Sequence, residues 1–360
     1  MNTDTKYLFR TAQLALLGDS RVLDSPRVGS VLVHGQKIIG EGYHQQAGKA
    51  HAEVNCLNSV IPENRHLISE STLYVSLEPC CIVGKTGACS TLILNHGIKR
   101  VVIGQRDSTP GVDGGSVELL RAAGVEVVEY PDFEPTRIAG QFRETLVTKH
   151  RPYVTLKYAQ SADGYLRPAD RAAEYWITNP ISRRLVHRWR AGKTAVIVGA
   201  RTVLDDNPSL TTRLWPGPSP RPVVIDPRGR LTGKEKVFSG PSSPIHYTSR
   251  PVELPRGNSV VMPNNLDKAT LELVLQDLAE RRLANVTVEG GAAILNTFLT
   301  SGLWDEAKVF TGEVHFGGGV VAPEPGAYGG KVTASYAVGS DRVVEYRNFV
   351  IARRPDLRSG

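Results

Sequence analysis

Short apolar strands alternate with amphipathic helices along this chain, and the alternation is broken once, at Arg151-Pro152. Such a pattern demands sheets with helices packed on them, the α/β class. In the first part, residues 28–33 and 37–43 flank His34-Gly35-Gln36 as a hairpin. A helix over 51–60, a strand over 73–77 and a helix over 89–95, stopped by Gly97, come next. Strand 100–104, helix 114–123 and strand 125–129 follow. Ile138, Phe142 and Leu146, four residues apart, then predict a helix over 134–149. Proline disfavours helix at the residue before it, so this helix ends at the break. At roughly 150 residues per domain, 360 residues suit two domains, expected here as 1–149 and 150–360. The second part again alternates: strand 153–158, helix 182–191, strands 195–198 and 222–225, helix 266–283 and strand 285–289. Gly290-Gly291 then opens a helix to Leu299, and strands are expected at 308–310 and 343–352.

Only four cysteines occur, Cys56, Cys80, Cys81 and Cys89, and residues 90–360 have none. That clustering suits a local site in a reducing compartment rather than a disulfide framework, and a cytoplasmic location is expected. Forty-three basic against thirty-six acidic residues leave a net charge of +7. So mild an excess fits a small phosphorylated substrate as well as nucleic acid. No apolar run is long enough to span a bilayer, so no membrane partner is expected. Near the N-terminus Leu8, Ala12, Ala15 and Leu16 recur at helical spacing, which reads as an amphipathic helix and not as a signal peptide.

The cysteines frame the first chemical site. His51-Ala52-Glu53 opens a helix, Pro79-Cys80 follows a strand, and Cys89 opens the next helix. Two thiolates and an imidazole are a natural donor set for Zn²⁺ and leave a fourth position for water. Zinc lowers the pKa of that water to about 7, giving hydroxide at neutral pH. A carboxylate two residues from the histidine moves protons without ligating the metal, the H-x-E…P-C logic of zinc deaminases. Glu53 fills that place. The common C-x2-C spacing would need a thiol where Val83 stands, so Cys80 and Cys89 are the expected pair. Adjacent Cys81 points away from Cys80, and Cys56 lies about 140° around the helix from His51, so both are read as structural.

In the second half, residues alone say less. Gly290-Gly291 between strand and helix lets a phosphate approach backbone N–H groups. The G-x-G-x-x-G pattern of a standard dinucleotide fold is absent.

Taken together, His51-Ala52-Glu53, Glu78-Pro79-Cys80 and Gly84-Lys85-Thr86…Cys89 resemble the deaminase half of the bifunctional deaminase–reductase family of riboflavin biosynthesis. Pro26-Arg27-Val28-Gly29 and Gly42-Tyr43-His44-Gln45 are similar to that family's pocket segments. Past the break, Leu156-Lys157, Ser161-Ala162-Asp163-Gly164, Trp176-Ile177-Thr178, the run from Thr202 to Pro208, Leu210-Thr211, Arg213 and Val288-Glu289-Gly290-Gly291 resemble its reductase half.

The resemblance implies a cytidine-deaminase-like α/β/α sandwich followed by a dihydrofolate-reductase-like α/β domain that binds NADPH. It implies that Ala159, Trp176, Thr202 and Asp206 line the cofactor and that Gly291, Ala292, Ala293, Ile294, Leu295, Asn296 and Thr297 cradle its phosphates. It implies that Glu174, Arg190, Leu210, Arg213 and Glu289 meet the substrate, and that Lys157 hydrogen-bonds or protonates an oxygen as hydride arrives. Deamination of a phosphorylated diaminopyrimidine and then reduction of its ribosyl group would follow, in a homo-oligomer, most simply a dimer. This chain departs from the family at Ser25, Ile82, Gly87-Ala88 and Ala173-Glu174-Tyr175.

Two other readings stand beside this one. A nucleoside or nucleic-acid deaminase with an accessory or degenerate reductase-like domain predicts a basic stripe interleaved with aromatics, and the sequence displays none. A zinc-binding scaffold predicts four closed ligands and no need for Glu53.

Overall fold

The hairpin and the strand that follows it organise the N-terminal unit, Met1–Pro152. Its elements are α1 (Thr3–Ala15), β1 (Gly29–His34), β2 (Lys37–Tyr43), α2 (Ala52–Asn58), β3 (Thr72–Val75), α3 (Cys89–Asn95), β4 (Arg100–Ile103), α4 (Gly115–Ala122), β5 (Glu126–Glu129) and α5 (Glu134–Lys149). They come from a computed structural model that describes residues 2–81, 88–110, 112–170 and 175–349. The sheet order is β2-β1-β3-β4-β5, with β1 antiparallel to both neighbours and β3, β4 and β5 parallel.

Side chains of a strand point alternately to opposite faces, and both faces here are apolar. Leu32, Leu73 and Val101 pack with Cys56, Leu57, Ile93, Val117 and Leu120 from α2, α3 and α4. Val31, Val33, Tyr74 and Val102 pack with Tyr7, Leu8 and Leu14 of α1. The result is a three-layer sandwich around a mixed sheet. Leu16, expected on the apolar stripe of α1, is instead exposed, because the helix ends at Ala15 and Leu16 caps it. A 3₁₀ helix over Pro62–Glu70 was not anticipated; it buries only Ile68 and so leaves no periodic signal.

The second unit, Tyr153–Gly360, begins with β6 (Tyr153–Gln160), β7 (Tyr165–Pro168), α6 (Pro180–Ala191), β8 (Ala195–Gly199), α7 (Ala200–Asp206) and β9 (Arg221–Asp226). It continues with β10 (Ile245–Thr248), β11 (Asn258–Val261), α8 (Lys268–Glu280), β12 (Asn285–Val288) and α9 (Ala292–Ser301). The last elements are β13 (Glu306–Thr311), β14 (Gly319–Val321), β15 (Gly330–Val338) and β16 (Asp341–Asn348). The main sheet has the order β11-β10-β9-β8-β12-β6-β13-β16-β15. It is parallel from β11 to β13 and antiparallel at its β16-β15 end, while β7 and β14 form a separate ribbon.

Strand β6 shows how its two faces divide. Val154, Leu156 and Tyr158 enter the core beneath α8 and α9. Thr155, Lys157 and Ala159 take the opposite face, where Val186 and Trp189 of α6 pack with Phe310 and Val343. Beside β6, β12 turns straight into α9 through Gly290, where a Cβ would lie 2.2 Å from Ile294 Cγ2. Only glycine permits that approach. Strands β7, β10, β11, β14 and β15 and helix α7 were not anticipated. In β15 nearly every side chain meets solvent, so no alternating pattern marks it. The strand expected over 343–352 ends at Asn348, and residues 350–352 lie outside the described residues. No helix among the described residues is long and apolar enough to cross a membrane.

Candidate functional site

Strands β2 and β3 run in the same direction on either side of β1, so the chain leaves both at one edge of the sheet. From β2 it passes to His51, the N-cap of α2. Helix α2 lies so close to β2 that a Cβ on Gly42 would be 2.3 Å from the Cys56 backbone nitrogen. From β3 the chain reaches Cys80, and Cys89 opens α3. The His51 Nδ1 is thereby 3.5 Å from Cys80 Sγ and 3.3 Å from Cys89 Sγ. The three donor atoms all lie within 4.8 Å of one another. Zn–S and Zn–N bonds of about 2.3 and 2.0 Å at a tetrahedral angle give edges of about 3.5 Å, so the spacing fits a single zinc ion.

Protonation points the same way. Hydrogen bonds from the Cys89 thiol, and then from His51, hold the Cys80 thiol well below its usual range against burial. The Cys89 thiol is pushed up by Cys80 and by burial. Two thiolates this close do not coexist without a cation between them, and a dication is what would let both ionise. Glu53, in the first turn of α2, is buried and hydrogen-bonds with the Cys89 thiol; burial raises its carboxyl above the ordinary range. His44 stands edge-on to His51 at 5.6 Å, with Nδ1 against the Ala50 carbonyl. Cys56 is fully buried, its thiol pushed up to about 12 by burial, and it takes no part in the cluster.

Sequence reasoning gave Glu78 no role. Its buried carboxylate accepts from the backbone N–H groups of Asp107 (3.3 Å), Gly114 (3.0 Å) and Ser116 (3.1 Å) and from the Ser116 hydroxyl (2.9 Å). Glu78 therefore caps α4 and anchors the turn that carries Cys80. Its partners are mostly backbone amides, which have no signature in a sequence.

The second unit builds a different cluster. Glu289 follows β12 beside Lys157 of β6, and Arg190 comes from α6 across that face. Arg190 grips Glu289 with two hydrogen bonds, 2.9 and 2.8 Å, and Lys157 Nζ lies 3.6 Å from the same carboxylate. Burial alone would raise the Glu289 carboxyl, but Arg190 and then Lys157 outweigh it and hold it at about 2. Burial draws the Lys157 ammonium below its ordinary value despite Glu289. Arg190 also donates to the Thr211 carbonyl (3.2 Å), so three of its five N–H groups are engaged within the protein. Arg213 is exposed, with one long contact from its guanidinium to Ser209 Oγ at 3.4 Å. Of the two arginines expected to meet the substrate, Arg213 is the one whose fork is open.

The remaining expected residues are less uniformly placed. Thr202 Oγ1 accepts from the Gly291 N–H (3.0 Å), and α9 has no side-chain cap, which leaves its first N–H groups to a ligand. Ala292 and Ala293 begin that helix, whereas Ile294 and Leu295 bury their side chains in the core and offer only backbone. Asn296 lies a turn further on, and Thr297 donates its hydroxyl to the Ala293 carbonyl. Ala159 is half-buried at the end of β6, and Asp206 ends α7, its carboxyl raised by burial and by Asp205. Leu210 is buried with a left-handed φ of +55°. Trp176 is 70% exposed, so it is no core residue. Glu174 lies outside the described residues, as do Ile82, Gly84, Lys85 and Thr86.

Two features escaped the sequence here. Asp163 accepts from Ser161 Oγ (2.6 Å) and from the N–H groups of Phe316 (3.1 Å) and Gly317 (2.7 Å), which pins a glycine-rich loop. On the outer side of α6, Arg183 stacks on Trp176 and Arg184 and Arg188 approach Trp215. That mixture of arginine and tryptophan was invisible because the rings come from other segments.

Residues 152–343 match the family model described as the RibD C-terminal domain. Residues 2–105 match the cytidine and deoxycytidylate deaminase zinc-binding region. The riboflavin biosynthesis protein RibD of Aquifex aeolicus is 36% identical, over 85% of this chain and 86% of its own. That of Bacillus amyloliquefaciens is 34% identical, over 87% and 85%. A crystal structure from Thermotoga maritima, described as a diaminohydroxyphosphoribosylaminopyrimidine deaminase/5-amino-6-(5-phosphoribosylamino)uracil reductase, superposes with a TM-score of 0.85. It shares 36% identity and covers 96% of this chain and 99% of its own. The chain belongs to the RibD family and is a bifunctional deaminase and reductase of riboflavin biosynthesis, with zinc and NADPH as its cofactors.

Proposed function

We propose that residues 1–149 deaminate 2,5-diamino-6-ribosylamino-4(3H)-pyrimidinone 5′-phosphate and that residues 150–360 then reduce the product's ribosyl group, giving 5-amino-6-ribitylamino-uracil 5′-phosphate. The observation that carries the reading is the meeting of His51, Cys80 and Cys89 beside a buried Glu53. His51, Cys80 and Cys89 would hold zinc, which when bound would make a water acidic enough to act as a nucleophile at neutral pH. Glu53, buried and with its carboxyl raised, is suited to take that proton and pass it to the departing ammonia.

In the second unit NADPH supplies hydride when bound. The uncapped start of α9, with Thr202 beside it, suits its phosphates, and Ala159, Trp176 and Asp206 complete the expected cofactor set. Lys157 holds a proton where burial makes it easier to release, and would donate it to the ribose ring oxygen as hydride reaches C1′ and the bond between C1′ and that oxygen opens. Glu289 orients Lys157 and is itself fixed by Arg190, Leu210 shapes the loop, and Arg213 binds the 5′-phosphate through its planar fork.

The four free thiols fit a reducing cytoplasm. A homodimer is the proposed assembly, and the long exposed edge strand β15 is the surface that suits a second copy. The deciding experiment supplies each substrate separately and reads ammonia release and NADPH oxidation independently. The expected result is both activities. Absence of NADPH oxidation with the deaminated ribosyl substrate would overturn the reductase half.

A further inference from the structure

Helix α6 turns two polar groups toward the 209–213 segment, three residues apart and hence on one side of the helix. Arg190 Nη1 donates to the Thr211 carbonyl (3.2 Å), and His187 Nδ1 accepts from the backbone N–H of Arg213 (3.1 Å). The segment leaves α7 through two left-handed residues, Asn207 at φ +41° and Leu210 at φ +55°, so no regular structure sets its path. Among the described residues its other hydrogen bonds are local: Thr212 N–H to Ser219 Oγ, one between Ser209 Oγ and Thr211 Oγ1, and Arg213 Nη1 to Ser209 Oγ. The two bonds from α6, of opposite polarity, tie the segment to the Lys157–Glu289–Arg190 cluster.

The His187 ring is buried. Because its Nδ1 accepts from an amide, the imidazole must be neutral with its proton on Nε2. Burial, Arg190 and Arg213 lower its pKa to about 4, in keeping with that tautomer. Among the described residues the Arg213 side chain, by contrast, is held only by its long contact to Ser209.

We propose that His187 is a positioning residue for the reductase site: by fixing the Arg213 backbone through Nδ1, it aims the Arg213 guanidinium at the anionic end of the ribosyl substrate. This rests on the reading of Arg213 as the phosphate-binding residue. Nothing in the bond pattern requires His187 to touch substrate, so its effect should travel through Arg213 alone.

Steady-state kinetics of reduction, with the deaminated ribosyl phosphate supplied directly, test the idea. His187→Leu should raise KM for that substrate about tenfold while kcat changes less than about threefold, the pattern of lost uniform binding. KM for NADPH and the rate of ammonia release should not move. With the dephosphorylated substrate, His187→Leu and the unsubstituted enzyme should have equal KM. His187→Asn keeps an acceptor near the place of Nδ1 and should restore most of the affinity. His187→Gln puts its acceptor nearer the place of Nε2 and should behave like the leucine variant. The Asn and Gln pair poses the question even where leucine impairs folding.

An unchanged KM in His187→Leu or His187→Gln, with KM raised in Arg213→Ala, overturns the positioning role alone. An unchanged KM in Arg213→Ala overturns the reading beneath it. An equal rise for phosphorylated and dephosphorylated substrates makes His187 a structural residue and also overturns the proposal. In the His187→Leu/Arg213→Ala double variant, KM should match that of Arg213→Ala, since residues acting through one group are not additive.

Discussion

At the N-terminal cluster, His51, Cys80 and Cys89 turn lone pairs toward one another, and the two thiols divide a proton unequally. At the C-terminal cluster, Lys157 and Arg190 bracket the Glu289 carboxylate, so opposite charges already meet. The first donor set calls for a cation to be complete. The second carries its own counter-charge and needs only ligands. Removal of metal should therefore separate two chemistries that share one chain.

The strongest way to break this contrast is to take away the metal or the proton carrier. Chelation, or Glu53→Ala, should lower ammonia release by at least about 10²-fold, the range for a general acid–base group. NADPH oxidation on supplied deaminated substrate should be unchanged. Ammonia release that survives Glu53→Ala would remove the proton role from this carboxylate.

Next comes Lys157→Ala, expected to lower reduction by about 10²-fold and to spare deamination. Its pH dependence has a defined sign. With the ammonium as the proposed donor and its pKa lowered by burial, kcat for reduction should fall as pH rises through a value below the ordinary 10.5. A profile that stays flat up to pH 10.5 would show that Lys157 is not the donor.

Glu289→Gln tests the self-neutralising character of the second cluster. It leaves Lys157 and Arg190 buried without their partner, which costs about 3–5 kcal/mol. Glu289 is held at about 2 in the folded chain against an ordinary 4.5, so its stabilisation is present above pH 4.5 and fades as pH falls toward 2. Urea unfolding should thus show a large difference between the variant and the unsubstituted protein at pH 7 and a smaller one near pH 3.

A gentler test is Glu78→Gln, which weakens the anchor of the Cys80 turn while leaving all three donors in place. Zinc affinity should fall about 10- to 100-fold, as for other residues that support metal ligands. Competition with a chromophoric chelator measures it, and an unchanged affinity would confine Glu78 to capping α4. The smallest effect belongs to Arg10→Ala at the half-exposed Arg10–Glu41 pair, within about 1 kcal/mol on the same unfolding assay.

Much of this molecule is legible in its residues because burial imposes periods. Strands such as β1 and β6 and helices such as α5 announce themselves through apolar spacing, and His51, Glu53, Cys80 and Cys89 through residue types that few other roles require. Strand β15 is silent because it is exposed on both faces, and the 3₁₀ helix over Pro62–Glu70 because it buries one side chain.

The sequence by itself determined the α/β class and pointed to His51, Cys80 and Cys89 with Glu53 as a zinc donor set, while the positions expected around NADPH came from the family resemblance. Only the tertiary structure decided which groups hold those residues in place. Glu78 reaches the amides of Asp107, Gly114 and Ser116, Asp163 those of Phe316 and Gly317, and His187 that of Arg213. It also decided that Arg190 is engaged by Glu289 and Thr211 while Arg213 remains open. The physical reason is common to all of these. A backbone N–H is the same at every residue but proline, so the partner of a side chain that binds one exists only once the chain has folded.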